Sequence, residues 1–452
     1  MPFDARKVAL EALNILDSGH LTLDAVMEDV ANDFSSTPRR ERALLQALVY
    51  GVLRWKGRLD YIVSRFSRSP LDKIDPKVLN ILRLGLFQII YLDRIPDSAA
   101  VNTAVNMVKA SGATWAAGFV NALLRRTIRE YPSVVFPDIK HDAVAALSVN
   151  HSFPRWIIKK WHQRYGLKKT ARLCDAINAI APITVRTNRL KTTPPELIKS
   201  LTAETQQVEQ TSYCRDGITF YNPAVPIAHL QSFKAGWFQV QDEAAQLVSL
   251  LLNPKPGETV LDACAGLGGK TGHIAQLMKN KGVLIALDLD GAKLKRLEAE
   301  MQRLAVSIVS TLTHDLENSN EGPEPNTFDR VLLDAPCSGL GVMRRHPDIK
   351  WRASKRRPLP FQRRQMKLLK NASRLVKPGG ILVYAVCSPE PEENEAVIND
   401  FLKNYTQFDI DNKCGKLPER VCAQAVSEGC LRTYPDLTQM DGFFAVRLKR
   451  GS

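Results

Sequence analysis

Apolar residues in the first part of the chain recur at helical spacing. They repeat every three or four positions over residues 44–53 and again over residues 79–90. Asp97-Ser98 places helix-capping residues before another apolar face, and prolines at positions 70 and 96 separate the segments. The pattern predicts an all-α helical bundle over residues 1–140.

A second pattern begins near residue 145. Short β-prone runs at 184–188 and 217–221 follow a segment, 156–180, whose spacing is helical. We therefore predict a small α/β domain over residues 145–235.

The remaining residues, 236–452, alternate between apolar runs of strand length and amphipathic helices. This rhythm is typical of a mostly parallel sheet covered on both faces. The predicted fold is therefore multi-domain, with a C-terminal α/β Rossmann-like domain. Its strands are expected at 259–262, 283–288, 308–312, 328–334 and in the run that ends before Cys387.

Positive charge is concentrated in two segments of the 452-residue chain, whose net charge is +15. Residues 151–235 hold 13 basic and 5 acidic side chains, and residues 344–374 hold 12 basic and 1 acidic. Such local excess favours a polyanionic partner, although two solvated surfaces remain the alternative. No apolar run is long enough to span a bilayer, and the N-terminus lacks a signal-peptide pattern, so we expect a cytoplasmic protein.

Two of the eight cysteines follow predicted strands directly. Cys337 lies in Asp334-Ala335-Pro336-Cys337, and Cys387 ends Tyr384-Ala385-Val386-Cys387. The carboxyl ends of strands in such sheets are where ligands bind. Two thiols there favour either redox chemistry or covalent attack on an electrophilic ring. Because the chain has no Cys-x-x-Cys pair, we expect neither a metal nor a thioredoxin-type site.

The turn after the first predicted strand, residues 262–271, indicates the cofactor. A nucleotide-triphosphate loop would need glycine at position 264, where the chain has Cys264, and a dinucleotide loop would need glycine where it has Thr271. S-adenosylmethionine (SAM) needs neither. Acidic residues that could meet its ribose, adenine and sulfonium end successive strands: Asp262, Asp288, Asp315 and Asp334.

These motifs resemble the RNA cytosine-C5 methyltransferases. The resemblance rests on residues 262–271, 334–339, 345–351 and 441–444, and on the Cys387 strand with Glu392-Glu393-Asn394. Residues 50–55, 82–85 and 118–126 are similar to a NusB-type RNA-binding domain. The combination resembles the bacterial 16S ribosomal RNA methyltransferases of the RsmB (Sun/Fmu) type, which act on the cytosine conventionally numbered 967.

The resemblance implies a role for each matching residue. Cys387 is the nucleophile that adds to C6 of cytosine, Cys337 assists product release, and Asp334 contacts the base or cofactor. Val386 replaces the usual Thr, and Leu267 replaces the usual Pro. The residues implied in SAM binding are Cys264, Ala265, Gly266, Leu267, Gly268, Gly269, Lys270, Asp288, Asp315 and Asp334.

Three alternatives remain open. Cys337 could be the attacking thiol, since Pro-Cys is the attacking motif of DNA cytosine-C5 methyltransferases. The chain could be an RNA-binding protein without activity, or a protein-thiol oxidoreductase. We expect small-subunit ribosomal RNA as the partner, no metal, no membrane, and a monomer.

Overall fold

The computed structural model describes residues 3–31, 37–318, 322–352 and 358–452. These residues form two compact units. One contains the described residues of Met1–Ala179 and Met343–Lys355, and the other those of Ile180–Val342 and Arg356–Ser452. The three domain boundaries expected from the sequence stay predictions. In the described part of the chain, no helix is both long and apolar enough to cross a membrane.

The first unit is helical, as predicted. Asp4 caps its first helix by accepting from the backbone N–H groups of Arg6 and Lys7, and Asp75 caps the fourth at a Pro76 start. The helices up to Glu130 bury a continuous apolar core. The helices of the unit are α1 (Ala5–Ser18), α2 (Leu23–Ala31), α3 (Arg39–Phe66), α4 (Pro76–Tyr91), α5 (Asp97–Ala110), α6 (Ala117–Glu130), α7 (Ala143–Asn150) and α8 (Arg155–Asn178).

A short piece of the later sequence is built into this unit. The Trp351 indole donates to the carbonyl of Leu53 at 2.6 Å. Lys350 is 0 % exposed, and its Nζ donates to Asn178 Oδ1 at 2.6 Å. Lys350 therefore has a structural role, although the basic segment 344–374 that contains it was expected to contact phosphate.

The second unit begins with a small antiparallel sheet in the order β2-β3-β1-β4. Leu197 and Leu201 of α9 pack in its core with Val185 and Phe220. This confirms the α/β character predicted for this part of the chain. The elements are β1 (Ile183–Thr187), α9 (Pro194–Glu204), β2 (Gln206–Gln210), β3 (Gly217–Tyr221), α10 (Gln231–Lys234) and β4 (Phe238–Val240).

The large sheet of the second unit has the order β11-β12-β13-β9-β8-β5-β6-β7, with β10 beside β13. Strands β5 to β9 are parallel, and β13 is antiparallel to β9. The Rossmann-like prediction is therefore confirmed. The strands are β5 (Thr259–Asp262), β6 (Val283–Asp288), β7 (Val309–Thr313), β8 (Phe328–Asp334), β9 (Val376–Val386), β10 (Phe408–Ile410), β11 (Val426–Ser427), β12 (Cys430–Arg432) and β13 (Phe444–Arg450).

Strand β5 lies between β6 and β8, where the chain order of the sheet reverses, and ligands bind beyond such points.

Helices accompany these strands along the chain. The helices are α11 (Glu243–Leu252), α12 (Gly269–Leu277), α13 (Gly291–Arg303), α14 (Ile349–Arg352, in the first unit), α15 (Pro358–Leu375), α16 (Glu395–Asn404), α17 (Glu419–Ala425) and α18 (Pro435–Thr438).

One strand differs from the expected start. The sequence Lys377-Pro378-Gly379-Gly380 predicts a turn before the strand that leads to Cys387, but β9 already begins at Val376. Gly379 has a φ of 75°, and the β8–β9 register shifts between Phe328 and Arg330. The turn residues thus form an irregularity within the pairing rather than a separate loop.

Candidate active site

The two cysteines predicted to act together are in contact. Cys337 Sγ and Cys387 Sγ lie 3.3 Å apart, within hydrogen-bond reach for sulfur. Strands β8 and β9 run parallel with Asp334 opposite Ala385, so the loops after them emerge side by side. The fold therefore brings together two thiols that are 50 residues apart in the sequence.

The environment of the two thiols is not symmetrical. The hydrogen bond with Cys387, and then burial, raise the pKa of Cys337 well above its ordinary value. The negative charge of Glu393 adds to that rise. Cys337 therefore holds its proton as a thiol.

A close backbone approach fixes the cysteine loops. Gly341 N donates to the carbonyl of Cys387 at 3.0 Å, and Gly442 N donates to the carbonyl of Gly341 at 2.9 Å. A Cβ at position 341 would collide with the carbonyl oxygen of Gly442. This approach gives a physical reason for glycine at position 341, and a Cβ at position 442 would itself lie 3.0 Å from Gly341 Cα.

A cavity of about 200 Å³ lies at the carboxyl end of β5. Five residues assigned to SAM from the sequence line it, namely Cys264, Ala265, Gly269, Lys270 and Asp334. Its other lining residues are Gln241, Asp242, Ala245 and Asp262.

Lys270 and Asp334 form an ion pair in this cavity. The Nζ of Lys270 donates to Asp334 Oδ2 at 2.5 Å and lies 5.4 Å from the ring centre of Phe443. Burial lowers the pKa of Lys270, but the attraction of Asp334 outweighs it and the net shift is upward. The ammonium is therefore kept charged beside Asp334, the acid predicted to act on the base.

Asp262 has an unused acceptor. Its side chain is 1 % exposed, Oδ2 accepts from the hydroxyl of Thr271 at 2.7 Å, and Oδ1 has no hydrogen-bond partner among the described residues. Burial raises the pKa of this carboxyl to about 7. A buried polar atom of this kind is normally satisfied, so a cofactor donor or a cationic group fits here.

Asp288, the last residue of β6, supports the cofactor loop. Its Oδ2 accepts from Gly266 N at 2.8 Å, and its Oδ1 accepts from Asp290 N at 2.9 Å. Gly268 has a φ of 83° at the start of α12, a conformation that glycine adopts readily.

The other residues assigned to SAM lie outside the cavity lining. Asp315 accepts from Glu317 N and from Asn318 Nδ2, each at 3.0 Å, in the turn after β7. Leu267 is 48 % exposed at the tip of the cofactor loop. The described residues that line the cavity do not include Gly266, Leu267, Gly268, Asp288 or Asp315.

Residues of the small sheet hold the cofactor loop, and the sequence did not reveal them. Arg186 of β1 is 1 % exposed and donates to the carbonyl of Gly269 at 3.0 Å, to Gln239 Oε1 at 2.8 Å, and also to Gln241. Gln239 Nε2 donates to the carbonyl of Gly268 at 3.2 Å. These hydrogen bonds join positions more than 25 residues apart, and no local motif marks them.

Exposed basic side chains follow one face of α15 and also occur along α8. On α15 they are Arg363, Lys367, Lys370 and Arg374, while Leu368 and Leu369 face the core. On α8 they are Arg155, Lys159, Arg164, Lys168 and Arg172, which lie on both sides of a break in the helix at Gly166, where φ is 73°. Arg356 and Arg357, expected to contact RNA, lie outside the described residues, and Arg364 is paired with Glu317 at 2.6 Å.

The parallel sheet and the acidic cavity beyond β5 define a SAM-dependent methyltransferase. Family models match along the chain: the NusB family at residues 4–129, the ferredoxin-like domain of RsmF/B-like methyltransferases at 153–228, and the 16S rRNA methyltransferase RsmB/F at 249–449. The protein belongs to this RsmB/F methyltransferase family, and its cofactor is SAM.

Full-length relatives agree with this assignment. The probable ribosomal RNA small subunit methyltransferase B of Bacillus subtilis is 38 % identical over 98 % of each chain. The ribosomal RNA small subunit methyltransferase B of Pseudomonas syringae is 32 % identical over 91 % of this chain and 90 % of its own.

Solved structures are similar as well. The crystal structure of PH0851 superposes with a TM-score of 0.83, at 26 % identity and over 100 % of both chains. A methyltransferase homolog from Pyrococcus horikoshii gives a TM-score of 0.56 at 30 % identity, over 68 % of this chain and 99 % of its own.

Proposed function

We propose that this protein methylates C5 of a specific cytosine in small-subunit (16S) ribosomal RNA, the position conventionally numbered 967, through a covalent bond between Cys387 and C6. The observation that carries the proposal is the 3.3 Å approach of the two thiols, beside the Lys270–Asp334 pair. The names of the relatives support ribosomal RNA as the substrate.

The reaction needs a nucleophile because cytosine C5 is too weakly nucleophilic by itself. Addition of the Cys387 thiolate to C6 makes C5 electron-rich, and C5 then forms its new bond to carbon. Bound SAM supplies the electrophilic methyl group. The C5 proton then leaves, the C6–S bond breaks, and the electron pair returns to Cys387 as thiolate.

Two further groups have distinct tasks in this scheme. Asp334 contacts the base and helps to protonate N3 as charge develops on the ring, and that proton returns to Asp334 when the C6–S bond breaks. Lys270 holds Asp334 in place through their ion pair. Cys337 takes part in the final elimination, in which the C5 proton leaves and the C6–S bond breaks. The target base must leave its stack so that Cys387 can reach its face.

The RNA backbone is held by the exposed basic face of α15 and by the exposed basic residues of α8. The lysine and arginine side chains of α15 recur at helical spacing, which suits a run of phosphates. Lys350 is excluded from this role because it is buried and bonded within the first unit. We also infer that the protein is a cytoplasmic monomer. Light scattering on the purified protein, in the presence and absence of RNA, tests whether it is monomeric.

A thiol oxidoreductase is the alternative that the proximity of the thiols itself favours. It leaves the acidic SAM cavity and the basic helix faces without a role. Attack by Cys337 is less favoured because its environment holds the proton on the thiol.

Incubation of small-subunit RNA with the protein and SAM tests the proposed reaction. Digestion to nucleosides and mass spectrometry should show 5-methylcytidine, and bisulfite sequencing should place it at one position. Methylation at a different atom, or of uridine, would contradict the proposal.

A further inference from the structure

One buried carboxylate is bonded to both cysteine loops. Glu393 is 0 % exposed. Its Oε1 accepts from Ser338 N at 2.7 Å, and its Oε2 accepts from the hydroxyls of Ser338 and Ser388 at 2.5 Å each. Ser338 follows Cys337, and Ser388 follows Cys387, so the same side chain contacts the residue next to each thiol.

Glu393 is itself held firmly. The hydroxyl of Tyr384 donates to the Glu393 carbonyl at 2.7 Å, and Gln365 Nε2 donates to Oε1 at 3.2 Å. The neighbouring Asn394 donates through Nδ2 to the carbonyl of Ser388 at 3.1 Å. The carboxylate and the two loops therefore form one hydrogen-bonded cluster, and movement of Glu393 would break several of its hydrogen bonds.

The donors around Glu393 favour an ionised carboxylate. Both serine hydroxyls lie at bonding distance from the same oxygen, Oε2, and 3.2 Å from each other. Burial raises the pKa of Glu393, and the bonds from Ser338, Ser388 and Gln365 oppose that rise without cancelling it. Four donors to one carboxylate allow the charge to persist in a buried position.

The charges near the two thiols have opposite signs. The groups that raise the pKa of Cys337 include Cys387 and Glu393, a hydrogen bond with the Gly339 backbone lowers it, and Tyr384 lies close by. The cationic group that interacts with Cys387 is Lys270, which also bonds to Asp334. A negative neighbour disfavours a thiolate, whereas a positive neighbour favours it.

We propose that Glu393 is a positioning residue that clamps the two cysteine loops together and keeps Cys337 as a thiol while Cys387 ionises. The inference rests on the proposed function, in which Cys387 attacks C6. The clamp holds the nucleophile and the elimination group at their short separation. The charge decides which of the two thiols is the nucleophile when the base arrives.

Substitution by glutamine separates the clamp from the charge. In Glu393→Gln the new amide NH2 can replace Oε2 and donate to a serine hydroxyl, which can also accept. In the other orientation the NH2 group would face the Ser338 N–H, which is also a donor, so the first orientation is preferred. Glu393→Gln therefore keeps the shape of the cluster and removes its charge, whereas Glu393→Ala removes both.

Alkylation of the cofactor-free, full-length protein with iodoacetamide tests the proposal without any RNA. Mass spectrometry reports the labelling rates of Cys337 and Cys387 from pH 6 to pH 10 in about unit steps. In the unsubstituted protein, Cys387 should reach half-maximal rate at lower pH than Cys337. The reverse order would overturn the charge assignment, and this comparison needs no variant.

The variants give the second comparison. Glu393→Gln should raise the Cys337 rate near pH 8 by about tenfold, the effect of one pKa unit, and should change the Cys387 rate little. Glu393→Asp, which keeps the charge, should leave the alkylation of Cys337 slow. The control Glu395→Gln alters a neighbouring acid that bonds to Arg432 and should change neither rate. A folded Glu393→Gln protein with an unchanged Cys337 profile would overturn the inference.

The clamp has its own readout in turnover. Glu393→Ala should lower kcat while SAM affinity stays unchanged, because no SAM-cavity residue is removed. A loss of SAM affinity equal to the loss of kcat would indicate general disruption and overturn the clamp. If the alkylation rates contradict the role of Glu393 but RNA is still trapped through Cys387, this inference fails and the proposed function stands. RNA trapped through Cys337 would instead overturn the proposed function.

Discussion

Asp288 Oδ2 accepts a hydrogen bond from the backbone N–H of Gly266 at 2.8 Å, so the end of β6 supports the loop that follows β5. Its remaining acceptor capacity is available to ribose hydroxyls beyond the strand end. One carboxylate can thus shape the cofactor loop and bind the cofactor.

Asp288→Ala should weaken SAM binding by about 1–3 kcal/mol, the usual effect of losing hydrogen bonds to a charged acceptor. Titration calorimetry measures the change. Asp290→Ala is the matched control, because Asp290 caps α13 through Ala292 N and Lys293 N and is not expected to contact SAM. The control should lower the melting temperature and leave SAM affinity unchanged. If folded Asp288→Ala bound SAM as tightly as the unsubstituted protein, Asp288 would not be a SAM-binding residue.

Asp262 should make the cofactor-free protein sensitive to pH. Burial raises its pKa from 3.8 to about 7, so the folded state binds more protons than the unfolded state between those values. Stability relative to Asp262→Asn should therefore fall as pH rises through this window, by at most about 1.4 kcal/mol per pH unit. Urea unfolding of both proteins at about pH 5, 6, 7 and 8 measures this difference in stability. A constant difference would show that Asp262 is ionised throughout.

Charge reversal on α15 should weaken RNA binding without affecting SAM. Lys367→Glu with Lys370→Glu changes two exposed residues on the basic face. The slope of log affinity against log salt should decrease by about one for each phosphate that the variant no longer neutralises. The control, Lys403→Glu with Lys413→Glu, changes two exposed lysines elsewhere in the same unit. An affinity that does not depend on salt would contradict the phosphate-binding role.

Deletion of residues 1–140 should destabilise the protein as well as weaken RNA binding. The bundle supplies the Leu53 carbonyl that accepts from Trp351, and Leu23 N, which donates to Asp348 at 3.4 Å. Without the bundle, Trp351 and the buried Asp348 are deprived of these hydrogen bonds. Calorimetry should show a lower melting temperature for the truncated chain than for the full chain. An unchanged melting temperature would make the bundle an independent appendage.

Point substitutions give the cleaner test of RNA binding by the bundle. Arg125→Glu with Arg129→Glu changes two exposed side chains of α6 and leaves the Trp351 hydrogen bond in place. If the bundle binds RNA directly, affinity should fall while the melting temperature stays near that of the unsubstituted protein. Unchanged RNA affinity and target selectivity would contradict that role for α6.

The sequence predicts those features that local patterns encode. Strand β8 ends in Asp334 and is followed by Cys337, and β9 ends one residue before Cys387, so the rule for parallel strands correctly predicts that the thiols meet. The Gly-rich turn likewise indicates a cofactor loop, and residues of that loop line the cavity.

Other parts of the site depend on contacts between distant segments. Arg186 reaches the cofactor loop from another sheet, across 83 residues of sequence. Lys350 looks like one more charge in a basic run, yet the fold buries it. No periodic pattern or local motif distinguishes such residues, because their role depends on which segment packs against them.

The most direct test of the account is which cysteine variant becomes covalently attached to RNA. Cys387→Ala, Cys337→Ala and the double variant are each incubated with labelled small-subunit RNA and SAM, then separated on a denaturing gel. Cys337→Ala should carry the RNA, because Cys387 still adds to C6 but elimination fails, whereas Cys387→Ala and the double variant should carry none. RNA attached to Cys387→Ala and absent from Cys337→Ala would contradict the account and make Cys337 the nucleophile.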